Sequence, residues 1–181
     1  MSNGRKVIIY GANGYTGKLV AESLAQRQIP FYFAGRSRDK LEKALGIVRE
    51  RLGASAWKLD AEIVAVDNSV ETLLPVFRKC SIVINVAGPF MQVAWPVVEA
   101  ALKAGCHYTD TTGEQDWTRA IADKFGAEFA AKGLLMAYQQ LSEDAAHRML
   151  TRLAMDANQR LPDVARTVLA TLSPKGKGKS R

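Results

Sequence analysis

The chain is 181 residues long, 48% hydrophobic and 24% charged, with a formal net charge of +7; that is enough for one full core or one core plus a small appendage, in the balance of an ordinary globular protein, which excludes disordered and low-complexity classes. Two cysteines only, Cys80 and Cys106, stand in unrelated contexts without metal-ligand spacing, so no disulfide framework and no metal are expected, and a reduced, cytoplasmic setting is the natural reading. No apolar run reaches membrane-spanning length and the opening MSNGRK carries no signal-peptide core, so no membrane partner is expected.

In chain order, Lys6 to Tyr10 reads as a buried first strand closed by Gly11, and Tyr15 to Arg27 as a helix with Leu19, Val20, Leu24 and Ala25 at helical spacing. Phe31 to Ala34 is a second strand ending at Gly35, and Arg38 to Leu52 an amphipathic helix with Leu41, Leu45 and Val48 on one face. Glu62 to Val66 is a third strand ending at Asp67, and Ser69 is a plausible N-cap for a helix through Leu73, Val76 and Phe77. Ser81 to Val86 is a fourth strand stopped by Gly88-Pro89, Val93 to Ala104 a helix closed by Gly105, and Cys106 to Thr109 a fifth strand. Short apolar strands alternating with amphipathic helices predict an α/β fold, a Rossmann-type doubly wound parallel sheet covered on both faces by right-handed crossovers.

Between the first strand and the first helix stands Gly11-Ala-Asn-Gly14-Tyr-Thr-Gly17. The G-x-x-G-x-x-G spacing suits a tight turn, a close backbone approach to a pyrophosphate and a helix packed hard on its strand, while the helix N-terminus offers amide hydrogens to the phosphates. A strand-to-helix turn with no ligand is the plainer alternative. After the second strand, where NAD-binding proteins carry a carboxylate for the ribose 2′-hydroxyl, this chain has Gly35-Arg36-Ser37-Arg38. Arginine suits a 2′-phosphate, so the cofactor expected is NADP(H), with a solvated arginine pair as the alternative.

YGANGYTGKLVAESLAQR, AGRSRDKLEKA and INVAGPFMQVAWPVVEAALKAGCHYTDTTGE together resemble the saccharopine dehydrogenase-like family of NADP-binding reductases, which includes trans-acting enoyl reductases, over roughly residues 6–133. The resemblance implies an oxidoreductase Rossmann domain holding the nicotinamide dinucleotide through Gly11, Gly14, Gly17, Arg36 and Ser37, with Asn85, Ala87, Gly88 and Pro89 on the nicotinamide side; Asn13, Tyr15, Thr16, Arg38 and Asp67 are further cofactor-binding candidates. Tyr108, Asp110, Thr112, Gly113 and Glu114 follow the fifth strand, at the crevice where doubly wound sheets bind ligands. A turn-shaping and helix-capping role is favoured for Asp110 and Glu114, no catalytic residue is assigned, His107 is expected at a strand end, and His147 lies outside the motifs.

From Ala131 the sequence changes character: AKGLLM, LSEDAA and LAMDANQRLPDVA follow one another with the spacing of the ANTAR domain, a small helical RNA-binding module that they resemble. Ser142-Glu-Asp opens one predicted helix through Ala146, Met149, Leu150 and Leu153, and Pro162 another through Val164, Val168 and Leu172. The resemblance implies that the preceding helix pairs two chains into a homodimer and that Arg148, Arg152, Asn158, Gln159 and Arg160 meet RNA, against the alternative of a solvated helix face. Residues 134–138 are expected to continue a helix begun near Thr118, although a reductase would make them a sixth strand. The expected organisation is a Rossmann domain over 1–130, an ANTAR-like helical module over 131–172 and a basic tail over 173–181, in which Lys175, Lys177, Lys179 and Arg181 concentrate much of the net charge.

Reductases of this family continue into a sizeable second domain that closes the substrate pocket, whereas 48 residues follow Gly133 here. The expected function is therefore an NADP(H)-binding domain of a saccharopine dehydrogenase-like oxidoreductase without the usual substrate domain. The alternatives are an antitermination-type regulator that binds RNA through its C-terminal helices, with the Rossmann domain as sensor or scaffold, and a reductase completed by a partner chain.

Overall fold

Four consecutive buried residues, Val7 to Tyr10, cannot form a strand with a wet face; they require cover on both sides, which a parallel sheet between two helical layers supplies. The computed structural model, described for residues 7–134 and 136–138, has that architecture. In chain order come β1 (Val7–Tyr10), α1 (Tyr15–Gln26), β2 (Phe31–Gly35), α2 (Arg38–Leu52), a 3-10 turn (Gly53–Lys58), β3 (Ala61–Ala65), α3 (Val70–Phe77), β4 (Ile82–Asn85), α4 (Phe90–Val93), α5 (Trp95–Ala104), β5 (His107–Asp110), α6 (Gln115–Ala131) and β6 (Met136–Tyr138). The sheet order is β3-β2-β1-β4-β5-β6, every pairing is parallel, and the direction of winding reverses between β1 and β4. That switch point is where doubly wound sheets open a crevice at their carboxyl ends.

Alternation along the strands divides the core. Val7 and Ile9 join Phe31, Phe33, Leu41 and Val48 on one face, whereas Ile8 and Tyr10 join Val83, Phe77, Val98 and Trp117 on the other. Local signals set the helix ends: the Ser37 hydroxyl accepts from the Lys40 amide at the start of α2, the Ser69 hydroxyl accepts from Thr72 at the start of α3, and Gly105, at φ 76°, closes α5.

The helix expected over 134–138 is not what the chain forms. The Gly133 amide donates to Ala130 and the Leu134 amide to Phe129, a Schellman termination with Gly133 at φ 65°. The chain leaves α6 in a new direction, and Met136–Tyr138 adds to the edge of β5, Met136 level with Tyr108 and Tyr138 level with Asp110. The pull was between helical continuity and an unpaired strand edge, and the left-handed glycine together with the free β5 ladder favours the strand. The predicted helices from Ser142 to Leu172 fall outside the described residues.

Two glycines make opposite predictions. A Cβ on Gly17 would lie 2.4 Å from the Ala12 carbonyl oxygen, backbone that cannot yield, whereas one on Gly46, inside α2, meets nothing within 4 Å. Urea unfolding should show Gly17→Ala destabilised by about 1–3 kcal/mol and Gly46→Ala stabilised by about 0.5–1 kcal/mol.

Candidate functional site

The amides of Gly11 and Ala12 both donate to the Ala34 carbonyl at 3.0 Å, which ties the β1–α1 loop to the end of β2. Gly11 takes φ +84°, and a Cβ there would stand 2.7 Å from the Ala87 amide nitrogen, so the β4 end passes directly beside the loop. Gly14 is the N-cap of α1 and no side chain caps that helix, nor does its first turn contain an acid; Ser37 and Ser69 supply the side-chain acceptors at α2 and α3. The start of α1 is thus the positive end of a 12-residue helix with its first-turn amides free of any side-chain acceptor. Lys18, one turn on, sends its ammonium back to the Gly14 carbonyl at 3.0 Å and the Asn13 carbonyl at 3.3 Å, which pins the loop and adds a cation beside it.

A cleft of about 220 Å³ opens over this turn, lined by Tyr10, Gly11, Asn13, Gly14, Gly35, Arg36 and the β4 exit Val86, Ala87 and Gly88. A neighbouring hollow of about 300 Å³ shares Asn13 and Arg36 with it and adds Ser37 and Lys40. No carboxylate lines either space. The two adjoin at Asn13 and Arg36 and between them offer a helix N-terminus and a pair of cations, a charge suited to an elongated polyanion with a second anionic group at one end.

Of the residues singled out from sequence, Gly11, Asn13, Gly14, Arg36, Ser37, Ala87 and Gly88 line these two spaces. Gly17 acts from beneath, letting α1 close on Ala12. Tyr15, 71% exposed, and Thr16 stand on the first turn of α1 rather than in the lining. Arg38 turns elsewhere: it pairs with Glu42 at 3.4 Å and borders a groove along the outer edge of β3 with Leu45 and Arg49. Asp67 is exposed just beyond β3, close enough to act electrostatically on Tyr10, as Arg36 also does. Pro89, after a cis peptide bond from Gly88, is the N-cap of α4. Asn85 is fully buried; its amide donates to the Tyr108 hydroxyl and its oxygen accepts from the Ala87 amide, so it shapes the cleft wall without being part of it. Tyr10, Lys18 and Lys40 went unnoticed in the sequence, although Lys18 follows Gly14 by one helical turn, the spacing at which a long side chain reaches back to the loop.

Behind the wall runs a buried polar chain. The Tyr108 hydroxyl donates to Asp110 at 3.0 Å, the Trp117 indole donates to the same carboxylate oxygen at 2.8 Å, and the Thr112 amide reaches the other oxygen. Burial pushes the Asp110 carboxyl above its usual range in spite of these donors. Glu114 accepts from the amides of Phe90 and Met91 and so ties the β5–α6 loop to the start of α4. Asp110 and Glu114 are therefore occupied in shaping and capping loops, in keeping with the role favoured for them. Burial raises the Cys80 thiol to about 12 and the Cys106 thiol to about 11, which keeps both protonated and poor nucleophiles. His107 begins β5, while His147 and the RNA candidates Arg148, Arg152, Asn158, Gln159 and Arg160 fall outside the described residues. Among the described residues, no group of three His, Cys, Asp or Glu is placed to hold a metal, and no helix is long and apolar enough to cross a membrane.

Residues 7–133 match the saccharopine dehydrogenase NADP binding domain. The chain belongs to that family. It is thus an NADP-binding Rossmann domain of the saccharopine dehydrogenase-like oxidoreductases, and residues 130–169 match the ANTAR domain. A trans-acting enoyl reductase of Mycobacterium ulcerans is 30% identical over 167 residues, covering 87% of this chain and 38% of the relative. A saccharopine dehydrogenase-like oxidoreductase of Rattus norvegicus is 28% identical over 138 residues, 71% of this chain and 32% of the relative. This chain spans about a third of the length of the curated relatives it matches. Among solved structures, the apo saccharopine dehydrogenase (L-Glu forming) of Saccharomyces cerevisiae superposes with a TM-score of 0.60 at 16% identity, covering 84% of this chain and 30% of that one. An actinorhodin polyketide ketoreductase with NADPH gives 0.56 at 16% identity, covering 93% and 90%; at such identities these two likenesses speak for the fold.

The raised Asp110 carboxyl sets a pH dependence. Because its folded value lies above its unfolded one, its stabilising contribution is fully present below the unfolded value and is lost as pH rises through the folded value. Asp110→Asn abolishes the titration and turns an NH2 group or a single oxygen toward three donors, a loss of about 1–3 kcal/mol. Urea midpoints measured from pH 7 downward should show the wild type drawing further ahead of the variant as pH falls through the folded value toward the ordinary carboxylate range.

Proposed function

We propose that the path from the α1 N-terminus to Arg36 is where this domain holds NADP(H), the diphosphate at the loop Gly11–Gly14 and the first turn of α1, the 2′-phosphate at Arg36 with Ser37 and Lys40 beside it. The observation that carries this reading is the uncapped start of α1, opening into a cleft without carboxylates, with a guanidinium at its far end. Arg36 makes no hydrogen bond or ion pair among the described residues, so its donors are available for bidentate pairing with a phosphoryl group. Asp67, at the tip of β3, flanks the adenosine end, and the Ala87-Gly88 exit of β4 flanks the nicotinamide end. The cofactor, when bound, supplies or accepts a hydride; the chain's own residues bind and orient it.

Hydride transfer also needs a substrate held dry at reacting distance. Asp110, Glu114 and both cysteines are engaged in the fold, so we assign the substrate pocket to protein outside residues 7–133, whether further polypeptide or a partner chain, and the present unit to cofactor binding without turnover of its own. We infer that the Rossmann sheet runs through β6 (Met136–Tyr138), so that it overlaps the start of the segment, 130–169, that matches the ANTAR domain.

A second reading rests on the ANTAR match over 130–169: an RNA-binding regulator whose Rossmann domain senses NADP(H), paired into a homodimer through the helical module. Arg148, Arg152, Asn158, Gln159 and Arg160 are the contacts it assigns. Filter binding to paired hairpins should then give an affinity that falls steeply with salt, as phosphate contacts require. Absence of salt-dependent binding removes this reading and leaves the first intact.

For the first reading, fluorescence titration decides. Arg36→Ala should weaken NADPH by about 1.5–3 kcal/mol and leave NADH nearly untouched, the signature of a lost charge-assisted contact to the 2′-phosphate. Equal losses for the two dinucleotides would contradict the assignment of Arg36.

A further inference from the structure

Tyr10 ends β1, level with Ala34 of β2 and Asn85 of β4. It is 3% exposed, its ring packed into the cluster that contains Ala34 and Val66, the residues at the ends of β2 and β3. An apolar strand that finishes in a phenol rather than a phenylalanine has brought an O–H group to the rim of this core, where it keeps contact with solvent and is not among the buried polar atoms left without a partner. Here the hydroxyl donates to no group among the described residues. Tyr10 is one of the residues lining the cleft with Gly35 and Arg36, and Arg36 and Asp67 are the charges that act on its phenol.

We propose that the Tyr10 hydroxyl is a specificity-determining hydrogen-bond donor that, beside Arg36, reads the 2′-phosphoryl group of the dinucleotide. The inference rests on the NADP(H) assignment of the cleft and adds to it a residue of the cleft lining. The two groups divide the work. Arg36 brings charge, and Tyr10, its ring held by packing, brings one O–H at little loss of side-chain freedom. Burial raises the phenol above its usual value, against the smaller opposing pull of Arg36, so it remains a donor throughout the physiological range. A phosphoryl oxygen is the matching acceptor, being anionic and so forming a stronger, charge-assisted bond than a neutral ribose hydroxyl.

Tyr10→Phe keeps the ring and removes only the hydroxyl. Titrated with NADPH, NADH, 2′,5′-ADP and 5′-ADP, the variant should bind NADPH and 2′,5′-ADP about tenfold more weakly, the value of a hydrogen bond to a charged group, and NADH and 5′-ADP as the wild type does. Unchanged NADPH binding by the variant, with the wild type still preferring NADPH over NADH, overturns the role of Tyr10 and leaves the cleft assignment standing. Equal weakening of 2′,5′-ADP and 5′-ADP overturns it as well, since the hydroxyl would then be reading another part of the nucleotide. A wild type that shows no preference for NADPH removes the assignment of the cleft itself and the inference with it. Should the variant unfold, the wild type labelled at tyrosine ζ carbons supplies the test: the Tyr10 resonance should move with 2′,5′-ADP and hold still with 5′-ADP, and no differential movement overturns the proposal.

Discussion

A helix that begins without a side-chain cap keeps its first amides and the positive end of its dipole available, and in this chain that unfinished helix start determines what the neighbouring structure has to do. Gly14, the N-cap of α1, has no side chain to accept from the first-turn amides, Lys18 is folded onto the loop carbonyls, and no acid is present in the first turn. The glycines around it follow from the same requirement: Gly11 allows β4 to pass at contact distance, and Gly17 lets α1 press against Ala12 so that its axis meets the cleft. A Ser or Asp at position 14 would satisfy the helix internally and fill the space a diphosphate needs.

The rest of the fold holds that helix end at a switch in the sheet. Winding reverses between β1 and β4, which separates the chain exits of those two strands and leaves a crevice that the loops after β2 and β4 border. The wall on the β4 side is kept in place by polar groups that are themselves buried: Asn85 turns the Ala87 amide, Tyr108 and Trp117 converge on Asp110, and Glu114 anchors the start of α4. An unpaired partner in such a chain would be expensive, which explains why a carboxylate tolerates a raised pKa instead of leaving the interior. The carboxylates that a search for acid-base chemistry would select are thereby engaged in loop geometry.

The strands and most helices up to β5 were legible in the sequence because each follows one simple period, apolar runs of four to six residues for buried parallel strands and three-to-four spacing for helices that cover them; the short α4 (Phe90–Val93), set off from α5, was missed, since the expected helix ran unbroken from Val93 to Ala104. The glycine turn and Arg36 were legible because backbone geometry and guanidinium chemistry restrict those positions to few residue types. Residues 134–138 misled, since an apolar run after a long helix reads equally as more helix; Gly133 held the answer, but its meaning depends on the open β5 edge, a tertiary fact. Asn85 misled in another way. It stands at the strand end where ligands approach, yet its side chain turns inward, and sequence spacing does not reveal which way a strand-end side chain faces. Tyr10 and Lys18 escaped notice because one resembles a core residue and the other a surface lysine until the neighbours are in place.

The central claim is that backbone amides at the start of α1 receive the diphosphate of a nicotinamide dinucleotide. Its most direct test is an amide-resolved NMR titration of the protein with NADP+. The account requires the largest displacements at Tyr15, Thr16 and Gly17, in the direction of stronger hydrogen bonding, with saturation matching the bulk affinity; the Gly14 amide already donates to the Gly11 carbonyl. Saturable binding that leaves those three amides unmoved, or moves chiefly those of α2 and β3 bordering the Arg38 groove, would contradict it.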